Sequence, residues 1–394
     1  MEAARVDVGS APASAATSGG GLRGSPTPPA QAYDLAVLDL DGVLYIGPDA
    51  VPGAPQALRA ARERGLRACF VTNNASRTPD TVAEHLTRLG IPATVGEVVT
   101  SAQVAAAMLA RRLPAGAAVL VVGGEGLRVA LTEQGLRPVR SVDEQPQAVV
   151  QGFDPDLSWR DLAEGTRAVR SGLFWTATNL DLTVPTRYGP APGNGALVGL
   201  VARAAGRDPD EVAGKPRPGS FLEAARRYGS DRPLVIGDRL DTDLEGARAA
   251  GQDGLLVLTG VTGSTDLISC PPQRRPCYLG RDLTALLEPQ PELDVQLLDD
   301  VQRADGVQRL DGVERPEERA RAGVRVACRG AAVTVEGGAL RVERAGDDAV
   351  DLLRAAAQAA WTWSDADSEG SGAVDGAAVL DAVRRLDPGA AWAR

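Results

Sequence analysis

From Leu35 onward, short apolar runs alternate with stretches of helical period, and this alternation constrains the fold more than any other feature of the chain. Leu35–Leu40 reads as a strand, Pro55–Arg64 as a helix and Arg67–Val71 as the next strand. A strand with every side chain apolar needs cover on both faces, and parallel neighbours need a crossover helix between them. The pattern therefore specifies an α/β fold, a doubly wound parallel-sheet core of Rossmann-like kind. A second set of such units follows: Ala118–Val122, Ala148–Gln151, a helix near Trp159–Ser171, and Phe174–Thr178. The rhythm resumes with helices at Ala196–Ala205 and Ser220–Tyr228, the strand Pro233–Ile236, a helix at Leu244–Ala250 and the strand Gly254–Leu258.

Both flanks differ in texture. Residues 1–31 are rich in Ala, Gly, Ser and Pro without periodicity and are expected to be a disordered tail. The core is expected over 32–111 and 191–287, with an inserted α/β unit over 112–190 between its halves. Residues 288–320 read as a charged linker. Val301-Gln302-Arg303 recurs there as Val307-Gln308-Arg309 and Val313-Glu314-Arg315, but one apolar position per copy cannot bury the face of a solenoid. Residues 321–394 read as a small α+β unit: strands at Val324–Ala327, Ala331–Val335 and Ala339–Val342 in an antiparallel meander, then a helix from Asp348 to about Trp361.

Composition narrows the chemistry. His85 is the sole histidine, which excludes a histidine-built metal site and disfavours Ser-His-Asp and Cys-His machinery. Of 42 basic residues only Lys215 is a lysine, a compact ammonium on a flexible stem where every other cation is a guanidinium. A net charge of -10 argues against nucleic acid or an anionic membrane as partner. Cys69, Cys270, Cys277 and Cys328 lack paired metal spacing. No apolar run approaches the roughly 20 residues of a membrane span, and the N-terminus has no basic-then-apolar leader pattern. A cytoplasmic location is expected.

Four polar clusters fall where apolar runs end. In Leu38-Asp39-Leu40-Asp41-Gly42-Val43, alternation puts Asp39 and Asp41 on one side of the chain, and Gly42 lets the backbone turn close to a ligand. Phe70-Val71-Thr72-Asn73-Asn74-Ala75-Ser76 ends a strand in hydroxyl and amide groups. Gly214-Lys215-Pro216 is a loop stiffened by its proline, and Val235-Ile236-Gly237-Asp238 runs on to Asp241 and Asp243. Ligands of open α/β sheets bind at the carboxyl ends of the strands, so these clusters converge if their strands are neighbours.

Together they describe phosphoryl transfer through a covalent intermediate. Asp39 is placed as nucleophile and Asp41 as the acid that protonates the leaving alkoxide and then the base that activates water. A carboxylate cannot approach a phosphate dianion unaided; Mg2+ held by Asp39, Asp238 and the backbone carbonyl of Asp41 would cancel the repulsion. Thr72, the amides at Asn73 and Gly42, and the ammonium of Lys215 are placed on the remaining phosphoryl oxygens.

Asp39-Leu40-Asp41-Gly42-Val43, Thr72-Asn73-Asn74, Lys215-Pro216 and Gly237-Asp238-Arg239-Leu240-Asp241-Thr242-Asp243 resemble the four motifs of the haloacid dehalogenase superfamily. The long insertion between the second and third motifs resembles subclass IIA, whose C2 cap folds over the core opening. The resemblance spans roughly residues 33–287 and implies a magnesium-dependent phosphoric monoester hydrolase. It also implies that Asp243 supports the metal directly or through water. Asn179 and Asp181, leaving the strand Phe174–Thr178, match the place where such caps face the cleft, and are candidates for substrate contact with turn formation as the alternative. Such caps often mediate homodimers. High arginine content, the capped core and a small C-terminal α+β unit resemble the actinobacterial glycerol 3-phosphate phosphatases. Glycerol 3-phosphate is therefore the expected substrate, with phosphoglycolate, sugar phosphates and nucleoside monophosphates as alternatives. A non-catalytic scaffold acting through its C-terminal unit is the alternative of another class.

Two motifs are set aside. Gly123-Gly124-Glu125-Gly126 lacks the full glycine pattern of a dinucleotide loop. Asp365, Asp367, Glu369 and Gly370 match the start of an EF-hand, but Gly376 stands where a bidentate Glu is required.

Overall fold

The computed structural model describes residues 20–186, 188–298, 323–366 and 374–393. Its core is a six-stranded parallel sheet in the order Tyr278–Gly280, Asp253–Val257, Pro233–Gly237, Leu35–Leu38, Arg67–Thr72, Val98–Thr100. Leu35–Leu38 lies in the middle and is fully buried. Its alternate residues serve different layers: Ala36 and Leu38 pack with Phe70 and Ile236, whereas Leu35 and Val37 pack with Cys69, Val71 and Val235. Leu38 pairs with both Phe70 and Ile236, so three strands end near one level. This register brings the first, second and fourth polar clusters together.

A second parallel sheet orders as Glu211–Val212, Phe174–Ala177, Ala148–Gln151, Ala118–Val122, Arg137–Val139. One face carries the helices Trp159–Arg170 and Asn194–Ala205, whose Ala168, Val169, Val198 and Val201 pack on Leu120, Val122, Trp175 and Ala177. The inserted unit thus continues to Val212, past the expected boundary at 190. The helix after Gly193 buries its apolar face on this sheet, not on the core. The other face, through Val119, Val121 and Val150, shares one apolar cluster with Ala102, Ala105 and Leu109 of the helix Ser101–Arg112 and with the core strands.

The C-terminal unit is an antiparallel meander of Asp294–Leu298, Gly323–Cys328, Ala331–Glu336 and Ala339–Arg344, followed by the helices Ala349–Ala366 and Ala377–Leu386. Asp294–Leu298 lies within the stretch expected to be linker. It pairs in register with Gly323–Cys328, and the three repeated triplets lie outside the described residues. The N-terminal expectation also needs correction. Residues 1–19 lie outside the description, but Ser25 pairs with Gln290, Leu22 N donates to Gln358 at 3.0 Å, and Pro29–Ala32 is a short helix.

This unit is not a free appendage. Leu352, Leu353, Ala356, Ala360 and Trp361 form one cluster with Leu256, Leu267, Ile268 and Leu279 of the core. Polar ties flank it: Trp361 Nε1 donates to Leu267 O at 3.0 Å, Arg354 donates to Leu279 O, and Arg275 grips Asp365 through both terminal nitrogens at 2.6 and 2.8 Å. Asp365 is thus committed to a guanidinium; Asp367, Glu369 and Gly370 lie outside the described residues. Among the described residues no helix is long and apolar enough to cross a membrane.

Trp361 is 1% exposed and joins the two units. Its replacement by alanine is expected to cost about 3–5 kcal/mol in urea unfolding, the range for large buried aromatics. A loss below about 1 kcal/mol would mean that the cluster repacks without it.

Candidate active site

The first core strand ends at Leu38, and the backbone turns beyond Asp39, whose own amide still pairs with Ile236 O at 2.9 Å. The next residues form a tight turn leading into a short hairpin, Tyr45–Ile46 with Asp49–Ala50, which the sequence pattern did not reveal. Gly42 adopts φ 82, and a Cβ there would stand 2.6 Å from Asp238 Oδ2, so only glycine fits. Its amide donates to Tyr45 O at 2.8 Å. That corrects the expectation of Gly42 as an anion donor; its part is conformational.

Lys215 is buried and bridges two carboxylates, with Nζ 2.5 Å from Asp39 Oδ1 and 2.6 Å from Asp243 Oδ1. Asp39, Asp238 and Asp243 each offer a carboxylate oxygen within 4.8 Å of the others. Asp238 Oδ2 accepts the Val261 amide at 2.6 Å, while Asp238 Oδ1 is buried with no hydrogen-bond partner. Asp243 sits in the wide helical turn Leu240–Leu244 and accepts the Arg239 amide at 3.2 Å. Three hard oxygen donors, one of them orphaned, balanced by a single ammonium, fit a divalent cation.

Electrostatics point the same way. Burial raises all three carboxylates, and neighbouring carboxylates add to it, Asp41 on Asp39 and Asp39 on both Asp238 and Asp243, against the pull of Lys215; Asp243 is pushed from 3.8 to about 6 and Asp238 well above its usual range. Burial opposes the charge of Lys215, but Asp243 and Asp39 outweigh it and hold the ammonium protonated. Asp41 stands nearer solvent with Tyr45 Oη at 3.4 Å; surrounding protein raises its pKa, with Arg77 and Lys215 opposing. Arg77 lies just beyond the second motif and was not singled out from sequence.

The second motif supplies the frame. Thr72 is buried, and its hydroxyl accepts the Asn74 amide at 3.0 Å. Asn73 uses its side chain internally: Oδ1 accepts the Lys215 amide at 2.8 Å, and Nδ2 donates to Lys215 O at 3.2 Å and to Asp181 Oδ2 at 3.0 Å. Asn179 is buried, donating to Asn73 O at 2.7 Å and accepting the Asp181 amide at 3.1 Å. It therefore joins cap to core. Asp181 is half-buried, and its charge acts on Arg239 across the cleft. The Gly123–Gly126 segment is also a junction, with the Gly126 amide donating to Ser76 O at 3.2 Å.

Comparison with known proteins agrees with this geometry. A profile described as haloacid dehalogenase-like hydrolase matches residues 36–137, and a second HAD-hydrolase-like profile matches 212–286. The D-glycerol 3-phosphate phosphatase of Mycobacterium tuberculosis is 50% identical over 257 residues, covering 65% of this chain and 72% of that protein. The chain belongs to the haloacid dehalogenase-like hydrolases. An acid sugar phosphatase of Staphylococcus aureus is 38% identical over 60% of this chain and 90% of its own length. The solved glycerol phosphate phosphatase of M. tuberculosis in complex with magnesium superposes with TM-score 0.75 at 39% identity, covering 92% of this chain and 99% of that one. Within the family the second sheet is a subclass IIA cap. Coverage of 92% in structure against 65% in sequence carries the likeness into the C-terminal unit.

The raised carboxylates set a sign for pH dependence. A group whose folded pKa exceeds its unfolded value stabilises fully below the unfolded value and loses that contribution as pH rises through the folded one; for Asp243 the window runs from 3.8 to about 6. Without cation the cluster should therefore weaken the fold as pH rises, and a divalent cation should offset the loss. The rise in melting temperature on adding Mg2+ is expected to be small near about pH 4.5 and large near about pH 8 by scanning fluorimetry. Equal rises would show that the cluster does not exchange protons for metal.

Proposed function

We propose that this chain is a magnesium-dependent phosphatase that hydrolyses small phosphate monoesters, with glycerol 3-phosphate as its substrate, through a phosphoryl group carried on Asp39. The observation that carries this reading is the buried cluster in which Lys215 bridges Asp39 and Asp243 while Asp238 keeps one oxygen without a protein partner. Similarity to the mycobacterial glycerol 3-phosphate phosphatase supports the substrate, and similarity to the staphylococcal acid sugar phosphatase supports the wider class.

Asp39, Asp238, Asp243 and the Asp41 carbonyl would hold Mg2+, which supplies positive charge against the phosphoryl oxygens. Asp39 attacks phosphorus while Lys215 steadies the charge on the equatorial oxygens together with Thr72 and the Asn73 amide. Asp41, with its raised pKa, holds a proton for the departing alkoxide; the resulting carboxylate then accepts a proton from the water that attacks the phosphoaspartate. Phosphate leaves and Asp39 is regenerated. Asp181, at the cap edge, is assigned to the polyol hydroxyls; Asn179 positions it. Trp159 and Leu200, 80% and 59% exposed on the cap helices, support the reading of a homodimer formed through the cap, and light scattering in solution tests it. The four free cysteines support a reducing, cytoplasmic setting.

Two outcomes test the chemistry. With Mg2+, phosphate release from a panel of glycerol 3-phosphate, phosphoglycolate, sugar phosphates and nucleoside monophosphates should favour the first and stop with chelator. A preference for another ester would move the substrate while keeping the mechanism, and release from none by folded protein would overturn it. Asp39→Asn should lose at least about 10^4-fold in kcat, and Lys215→Arg about 10^2-fold because a planar fork does not fit between two carboxylates 2.5 and 2.6 Å from Nζ. Near-normal turnover by either folded variant would remove that residue from its role.

A further inference from the structure

The loop following the strand Asp253–Val257 touches the carboxylate cluster at one end and the C-terminal unit at the other. Val261 N donates to Asp238 Oδ2 at 2.6 Å, Thr262 N to Asp238 O at 3.2 Å, and Thr259 Oγ1 to Gly42 O at 2.5 Å. Gly260 passes so close that a Cβ there would lie 1.9 Å from Asp238 Oδ2. The loop therefore cannot shift without moving this carboxylate. Its far end is fixed by the last turn of the chain. Ser264 donates to Trp392 O through both its amide, at 2.8 Å, and its hydroxyl, at 3.0 Å. Ser264 is fully buried and Trp392 is 5% exposed, with the Arg281 guanidinium 5.6 Å from its ring and Arg281 in turn paired with Asp387.

We infer that Trp392 and Ser264 are positioning residues for Asp238: the main-chain carbonyl of Trp392 anchors residues 259–264, and through them the C-terminal unit sets the affinity of the cation site. The inference rests on the cation reading above. Outer-sphere partners that aim a metal-binding carboxylate typically change affinity by about 10–100-fold when lost. Here the anchor acts through one loop, and the low end of that range is expected. The geometry also assigns the effect to the carbonyl: the ring packs and meets Arg281, whereas both bonds to Ser264 end on the backbone oxygen.

The test measures Mg2+ binding by isothermal titration calorimetry without substrate, and the half-saturating Mg2+ for phosphate release. The full chain is compared with a chain ended at Ala391, with Ser264→Ala, with Trp392→Phe and with Asp238→Asn. Ending at Ala391 should weaken Mg2+ binding about tenfold while leaving kcat at saturating Mg2+ within about twofold. Ser264→Ala, which loses one of the two bonds, should weaken it by a smaller factor, about threefold. Trp392→Phe keeps the carbonyl and should bind as the full chain does. Unchanged affinity in an Ala391-ended chain with native circular dichroism overturns the anchor. Should that chain fail to fold, unchanged affinity in Ser264→Ala overturns it. A general loss of stability would lower the active fraction without moving the half-saturating Mg2+. If the full chain and Asp238→Asn bind Mg2+ alike, the cation reading itself fails; if only those two differ, the anchor alone falls.

Discussion

The site depends on one buried cation among carboxylates. Lys215 lies within 2.6 Å of both Asp39 and Asp243, and Asp238 stands in the same cluster. Removing charges from water is costly, and a cluster that concentrates three acids beside one base is tolerable only if protons or a further cation share it. This explains why so much structure converges there. Asn73 clasps Lys215 by amide and carbonyl, Gly42 gives way to Asp238, and Val261 fixes the outer oxygen of the same residue. Each is a backbone or side-chain commitment made to hold like charges in place.

Such a cluster needs rigid surroundings, and the C-terminal unit provides part of them. Its long helix inserts Leu352, Leu353 and Trp361 against Leu267 and Leu279, so the edge of the core sheet is completed by residues more than fifty positions downstream. The core and this unit are one hydrophobic body. The cap is bound by polar as well as apolar contacts: Asn179 and Asp181 reach the second motif directly, so the position of the cap and that of Lys215 are set by one asparagine.

Much of this was legible in the amino-acid order. Apolar runs that end in Asp, Thr or Asn marked the strand termini, and the solitary lysine stood out against arginines. The central strands needed little tertiary information because each is built on an unbroken apolar stretch, Leu35–Leu38, Ala68–Val71 and Leu234–Ile236. Other features left weaker traces. Gly42 has the spacing of an anion-binding turn, yet its amide is satisfied by Tyr45, which sequence cannot register because the bond closes over an irregular hairpin. The extension of the cap to Val212 left no trace because Glu211–Val212, which pairs with Phe174–Ala177, is too short to show a period. Asp294–Leu298 was concealed for a different reason: an edge strand with exposed side chains carries no apolar signature. Thr259 and Val261 act on the cluster through a hydroxyl and an amide, and an amide belongs to every residue type but proline. The signal was nonetheless present, since the strand Asp253–Val257 runs out, like the others, into small and hydroxylated residues, Thr259-Gly260-Val261-Thr262-Gly263.

The apolar cluster shared by the cap and the core has a consequence for recombination between relatives. Val119, Val121 and Val150 on the cap meet Ala102, Ala105 and Leu109 on a helix that belongs, by chain order, to the first half of the core. Substrate range in such enzymes invites exchange of one cap for another. A graft cut at the cap's own sheet would bring a foreign surface onto this helix, leaving either voids or overlaps where the alanines now allow close approach. A graft that keeps this contact therefore has to carry the helix Ser101–Arg112 with the cap, although that helix follows the core strand Val98–Thr100 without an intervening loop and packs on the core strands as well.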